Sequence, residues 1–193
     1  MAEILLFHHA KGRTKGILAF ADKIRAAGHT VHVPDLFEGH LFSTIEDGVA
    51  HAEEIGLEEI IERGVRIACE LPHKMVYAGF SLGVMPGQRL AMTRDGAQGA
   101  LFFGSCIPAS MLGSSWPKDL PVQIHAKDAD PFFVSEGDIE AAREIVATAN
   151  HGKLFLYPGN EHLFFDSSLP AYDADATKLL LQRVHDFLQR LGD

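Results

Sequence analysis

Three short stretches of the chain carry the side chains that acyl transfer needs. Gly79-Phe80-Ser81-Leu82-Gly83 holds a serine between two glycines, Lys127-Asp128-Ala129-Asp130-Pro131 offers two carboxylates, and Pro158-Gly159-Asn160-Glu161-His162 ends in an imidazole. An alcohol is a poor nucleophile at neutral pH, so an imidazole must take its proton. A carboxylate then fixes the imidazole tautomer and stabilises the imidazolium as it forms. Ser81 is the candidate nucleophile, His162 the candidate base and Asp130 the candidate acid. Asp128 is the alternative acid; Asp130 is favoured because Pro131 restricts it to extended angles that aim its side chain across the strand ends. The developing oxyanion needs preorganised N–H donors. Leu82 is expected to give one, as the residue after the nucleophile, and His9 or Ala10 the other.

The five-residue serine pattern is weak alone. With 18 glycines in 193 residues, composition would produce it roughly 0.08 times per chain, so its surroundings must decide. Lys74 to Ala78 reads as an apolar strand leading into the turn, and Val84 onward as a helix, with Pro86 tolerated in its first turn. That is the strand–turn–helix context which gives a G-x-S-x-G its meaning as a nucleophile elbow. Glycine at 79 and 83 is expected to supply both room and the backbone angles of a sharp bend.

The rest of the chain alternates in the same way. Ile4–Phe7, Thr30–Val33, Lys74–Ala78, Ala100–Phe103, Val122–Ala126 and Leu154–Tyr157 are apolar runs suited to buried parallel strands. Between them, apolar residues recur at helical spacing: 17–27, ended by Gly28; 43–70, where Gly56 and Gly64 threaten a break; 84–92; a helix capped by Ser135; and 176–191. No linker, repeat or low-complexity tract interrupts residues 1–193, so one α/β domain is expected, a mainly parallel sheet of six or more strands with helices on both faces. In such sheets ligands bind beyond the carboxyl ends of the strands. Ser81, Asp128/Asp130 and His162 each follow a strand, 49 and then 32 residues apart for the favoured acid. The order Ser, acid, His is that of α/β-hydrolases.

Composition narrows the partners. The net charge is −9, with 47% hydrophobic and 22% charged residues, and Lys and Arg are scattered. Nucleic acid and anionic membrane are therefore disfavoured, and a small molecule is favoured. The start of the chain lacks a basic region and a long apolar run, no segment reaches the roughly 18 apolar residues of a span, and Cys69 and Cys106 form no disulfide or zinc pattern. A cytoplasmic address with reduced thiols is expected. His8, His9, His125 and Asp128 have no metal-ligand spacing, so no metal is expected. Trp116, Phe132 and Phe164, with Phe133 and Phe165, fall in loops at the same predicted edge; they either wall an apolar pocket or form core beneath the loops. The loop 106–120 is the expected cover, with Trp116 against the substrate.

Across nearly its whole length the chain resembles the dienelactone hydrolase family. The segments that carry the resemblance are Val33-Pro34-Asp35-Leu36-Phe37-Glu38-Gly39, Ala78-Gly79-Phe80-Ser81-Leu82-Gly83, Asp128-Ala129-Asp130-Pro131-Phe132-Phe133-Val134 and Tyr157-Pro158-Gly159-Asn160-Glu161-His162-Leu163-Phe164, followed by Tyr172 and a helix containing Phe187-Leu188. The resemblance implies an α/β-hydrolase fold with a minimal cap, hydrolysing esters or lactones without a cofactor. The chain departs from it twice. The best-known members use cysteine where Ser81 stands, and they carry a glutamate in the loop that here reads His8-His9-Ala10-Lys11-Gly12. Serine chemistry activated by His162 is the simpler expectation.

A doubly wound nucleotide or flavin module is the rival from another class, but the first βα turn lacks G-x-G-x-x-G and G-x-x-x-x-G-K-[ST]. A thioesterase, peptidase or phospholipase with the same triad, and an inactive binding protein on this fold, are the remaining alternatives.

Overall fold

The computed structural model describes residues 1–191. Their strands form one six-stranded, all-parallel sheet in the order β2-β1-β3-β4-β5-β6. The strands are β1 (Glu3–Phe7), β2 (Thr30–His32), β3 (Met75–Phe80), β4 (Ala97–Phe103), β5 (Val122–Lys127) and β6 (Gly152–Tyr157). The helices are α1 (Lys15–Ala26), α2 (Ile45–Ile55), α3 (Leu57–Cys69), α4 (Val84–Thr93), α5 (Pro131–Val134), α6 (Asp138–Thr148) and α7 (Ala174–Arg190). The match to expectation is close, because parallel strands buried on both faces must be near-continuously apolar. β3 is buried along its whole length, as is β5.

Alternate side chains of each strand feed two separate cores. Leu5, Tyr77, Phe102 and Ile124 point towards α2 to α6, while Leu6, Ala78, Phe103 and Phe80 point towards α1 and α7. In the second core Phe20, Phe80, Phe103 and Phe165 pack ring against ring at centroid distances of 4.4–6.2 Å. Burying each such side chain contributes about 1.5–3 kcal/mol. That packing fixes the strand ends from which the polar loops spring.

The helical stretch after β2 is two helices, not one. Gly56 takes φ 96° between α2 and α3, an angle that other residues rarely adopt. Gly64 does not break α3; a side chain there would lie 2.5 Å from the Pro86 Cβ, so its absence lets α3 lie against α4.

Ser135 does not cap a helix start. Asp130 and Pro131 are a better N-cap and first-turn pair, and the Asp130 side chain accepts from the Phe132 N–H to begin the short α5. Ser135 ends that turn, and α6 starts afresh beyond Gly137, at φ 93°. No helix among the described residues is long and apolar enough to cross a membrane.

Candidate active site

β3 delivers Ser81 onto a sharp turn at the head of α4. Ser81 has φ 49°, a left-handed angle that costs a non-glycine residue about 1–3 kcal/mol and persists only where its surroundings enforce it. The two glycines of the pattern are needed for space rather than for angle, which corrects the sequence-based expectation. Gly83 has φ −65°. A Cβ at Gly79 would lie 2.1 Å from the Gly83 carbonyl oxygen, and one at Gly83 would lie 2.5 Å from the His8 carbonyl oxygen. The serine therefore bears the strain, and the glycines let β3, α4 and the loop after β1 close around it.

The loops after β5 and β6 bring the other two candidates to that turn. Ser81 Oγ lies 2.8 Å from His162 Nε2, and His162 Nδ1 lies 2.6 Å from an Asp130 carboxylate oxygen. Asp130 is fully buried and His162 nearly so, whereas Ser81 is half-buried and open to a ligand. With Nδ1–H donated to Asp130, His162 presents a bare Nε2 to the serine hydroxyl. The other Asp130 oxygen accepts from the Phe132 N–H at 3.0 Å, so the carboxylate is held on two sides.

Asp128 stands apart from His162. It is exposed, and its carboxylate accepts from the Gly159 N–H at 3.1 Å, while the Ala129 N–H donates to the Gly159 carbonyl. Asp128 thus ties the loop that carries His162 to the end of β5. Lys127 tightens the same junction from inside: its buried ammonium reaches the Pro158 carbonyl at 2.7 Å and Asp173, the N-cap of α7, at 2.5 Å.

Of the expected aromatic wall, only Phe132 borders the three residues. It is half-buried, with its ring 4.6 Å from that of His162. Trp116 lies elsewhere: it is buried against Phe102, its indole N–H donates to the Leu120 carbonyl, and the loop 106–120 folds down onto α6. Phe164, Phe133 and Phe165 are also core residues. A large indole with a local carbonyl partner is more stable buried than draped over a polar cleft. A cavity of about 680 Å³ sits at the amino ends of β5 and β6 and includes none of Ser81, Asp130, His162, Phe132 or Trp116.

The loop after β1 is a folded structure in its own right. The Gly12 N–H bonds the His9 carbonyl, the Lys11 N–H bonds His9 Nδ1, and the Ala10 N–H has no acceptor among the described residues. His8 donates Nδ1–H to the His9 carbonyl and accepts from the Leu36 N–H. His9 is fully buried and donates Nε2–H to Asp166 at 2.8 Å. Burial lowers the His9 pKa, with the Asp166 hydrogen bond opposing. Burial alone would raise Asp166, but hydrogen bonds from His9, Ser168 and Thr14 outweigh it and hold the carboxyl at about 2. A neutral imidazole donating to a carboxylate satisfies both shifts.

Asp166 is not among the residues that sequence reasoning singles out. Asp166-Ser167-Ser168 reads as a turn signal after an apolar run, but nothing in the chain pairs it with His9, 157 residues away. Nor do His8, His9, His125 and Asp128 gather: His125 is buried between Phe103 and Phe155 and bonded to Tyr157, and no cluster of three or more metal-ligating side chains occurs among the described residues.

Comparison with known proteins agrees with this architecture. The family model of the dienelactone hydrolase family matches residues 2–192, and the chain belongs to that family. No curated protein sequence matches it. Among solved structures, it is similar to a dienelactone hydrolase-like promiscuous phosphotriesterase from metagenomic libraries, with a TM-score of 0.77 and 15% identity, covering 99% of this chain and 87% of that one. Esterase 2 of Thermogutta terrifontis, phosphoramylated by tabun, gives a TM-score of 0.61 and 17% identity over 99% of this chain and 83% of its own. The RedJ thioesterase of Streptomyces coelicolor gives 0.59 and 16% over 96% and 89%. At these identities the solved structures speak for the fold, that of α/β-hydrolases, and the family assignment for a hydrolase.

Proposed function

We propose that this member of the dienelactone hydrolase family cleaves small carboxylic esters or lactones with Ser81 as its nucleophile. The observation that carries the reading is the continuous relay from Ser81 Oγ to His162 Nε2 at 2.8 Å and from His162 Nδ1 to Asp130 at 2.6 Å. Both contacts lie within the range that proton transfer in a bound complex requires.

In this scheme Ser81 Oγ attacks the ester carbonyl carbon while its proton passes to His162 Nε2. The Asp130 carboxylate keeps the imidazole tautomer and stabilises the imidazolium. The carbonyl oxygen, now carrying negative charge, accepts from the N–H groups of Leu82 and Ala10. The amino end of α4, which directly follows the elbow, favours that charge further. Collapse breaks the bond to the leaving alkoxide, which takes the proton from His162. Water, deprotonated by the same nitrogen, then attacks the acyl-serine, and the intermediate releases the acid and restores Ser81. Phe132, beside the imidazole, offers an apolar wall to one half of the substrate.

A small, water-accessible acyl pocket is favoured over a long tunnel because the loop 106–120 packs into the core and leaves Ser81 half-open. A panel of p-nitrophenyl esters, lactones and thioesters tests the substrate class. Turnover falling steeply as the acyl chain lengthens beyond a few carbons is expected. A preference for thioesters, as the name of the Streptomyces relative suggests for that protein, would redirect the assignment without changing the residues. Turnover of none of the three classes would remove it.

A further inference from the structure

The loop after β1 lies against the elbow and is held there by a carboxylate from the far end of the chain. Asp166 is fully buried four positions beyond His162. One of its oxygens takes the His9 Nε2–H and the Thr14 hydroxyl, and the other takes the N–H and the hydroxyl of Ser168 at 2.8 and 2.6 Å. The Ser168 hydroxyl oxygen accepts in turn from the Gly16 N–H in the first turn of α1, at 3.2 Å. Gly16 approaches so closely that a side chain there would lie 1.6 Å from the carboxylate. His9 is thereby fixed through both ring nitrogens, one on Asp166 and one on the Lys11 N–H. Between those two anchors sits Ala10, buried, with its N–H unclaimed among the described residues. On its other side the Ala10 carbonyl is pressed against Gly48 of α2, where a side chain would lie 1.9 Å away.

On the reading given above, we propose that Asp166 is a positioning residue for the oxyanion site: through His9 and Thr14 it holds the His9–Ala10 peptide so that the Ala10 N–H meets the developing charge on the carbonyl oxygen bonded to Ser81. Such donors are effective because their geometry is fixed before reaction, and removing one costs about 10²–10³ in kcat. In the five residues His8–Gly12 the N–H groups of Lys11 and Gly12 are already used, and the His9 imidazole ties the His9–Ala10 peptide to the rest of the fold. The imidazole in turn has no orienting partner on Nε2 except Asp166. Because the same segment carries His162, one carboxylate links the position of the base to that of the donor.

The test compares wild type, Asp166→Asn, Asp166→Ala, His9→Gln and Ser81→Ala for kcat and KM on a short p-nitrophenyl ester. It also measures the affinity of each for a trifluoromethyl ketone, which forms an oxyanion on Ser81, with folding checked by thermal unfolding. Asp166→Ala is expected to lower kcat about tenfold to 10²-fold with KM within twofold, and to weaken the ketone in parallel. Asn keeps an acceptor for His9 Nε2–H and Gln keeps a donor for Asp166, so both are expected to stay within a few-fold of wild type. A folded Asp166→Ala with unchanged kcat and ketone affinity would overturn the inference, as would a loss confined to KM. Should Asp166→Ala not fold, His9→Phe, which keeps the ring but neither of the nitrogens that bond Asp166 and the Lys11 N–H, is measured in its place, and unchanged kcat and ketone affinity there overturn the inference equally. Ser81→Ala separates the two levels: turnover lost there and intact in folded Asp166→Ala rejects the positioning role alone, while turnover retained in Ser81→Ala rejects the nucleophile and the inference with it.

Discussion

Gly83 lies directly against the His8 carbonyl, so that a single methyl group added to it would sit 2.5 Å from that oxygen. The elbow and the loop after β1 are therefore one packed unit, although 75 residues separate the two positions in sequence. Alanine at 83 has no conformational objection, because φ is −65°. Any effect of the substitution is steric. Gly83→Ala is expected to destabilise the fold by about 1–3 kcal/mol, the usual range for overpacking, and to lower kcat more than KM by pushing the His9–Ala10 peptide away from Ser81. Urea unfolding and ester kinetics on the one variant measure both.

The two aspartates after β5 are expected to separate cleanly. Asp130→Asn leaves the geometry nearly intact but presents the wrong partner to His162 Nδ1, and a loss of about 10⁴ in kcat follows from the wrong tautomer. Asp128→Asn keeps an acceptor for the Gly159 N–H and is expected to change kcat less than tenfold. Parallel rate measurements on the two variants decide it, and equal losses would contradict the assignment.

Lys127 predicts a link between stability and the histidine loop. Lys127→Met retains the stem but leaves the Pro158 carbonyl and Asp173 without their ammonium partner. A destabilisation of about 2 kcal/mol is expected from the groups left unpaired. A decrease in kcat should accompany it as the Pro158–His162 segment loosens. Thermal unfolding and kinetics on the same preparation read both.

His125 makes stability fall with acid. Burial, with Arg183 nearby, lowers its pKa to about 3, while an unfolded histidine takes a proton near 6.5. Below about pH 6.5 the unfolded chain binds a proton that the folded one refuses, so stability decreases as pH falls, by about 1.4 kcal/mol per unit for this one group, down to about pH 3. His125→Phe preserves the stacking between Phe103 and Phe155 and is expected to flatten the slope of unfolding free energy between pH 6 and 4 by about one proton, whatever its effect at pH 7. An unchanged slope would show that the imidazole charges without unfolding.

Local chemistry was legible in the chain wherever the cause was local. The apolar runs of β1, β3 and β5 declare a doubly covered sheet because both of their faces must be dry. Pro131 announces the extended Asp130, and the elbow pattern announces Ser81. What was not legible is set by long-range packing. Trp116 reads as a loop aromatic, yet the carbonyl that satisfies its indole is four residues away, at Leu120, and its ring meets Phe102 in a core that no periodicity reveals. The glycines of the elbow look like conformational residues, but Gly79 avoids the backbone at Gly83 and Gly83 avoids the carbonyls at the end of β1, a contact that no local pattern shows. Asp166 is invisible for the same reason, since its partners His9 and Thr14 belong to the first turn of the chain.

Labelling of the protein by a fluorophosphonate, followed by intact mass and peptide mapping, tests the central claim most directly. The account predicts one adduct per chain, located on Ser81, formed in parallel with loss of esterase turnover, and absent from a folded Ser81→Ala variant. An adduct that persists in Ser81→Ala, or wild-type protein that turns over esters while Ser81 stays unlabelled, would contradict it.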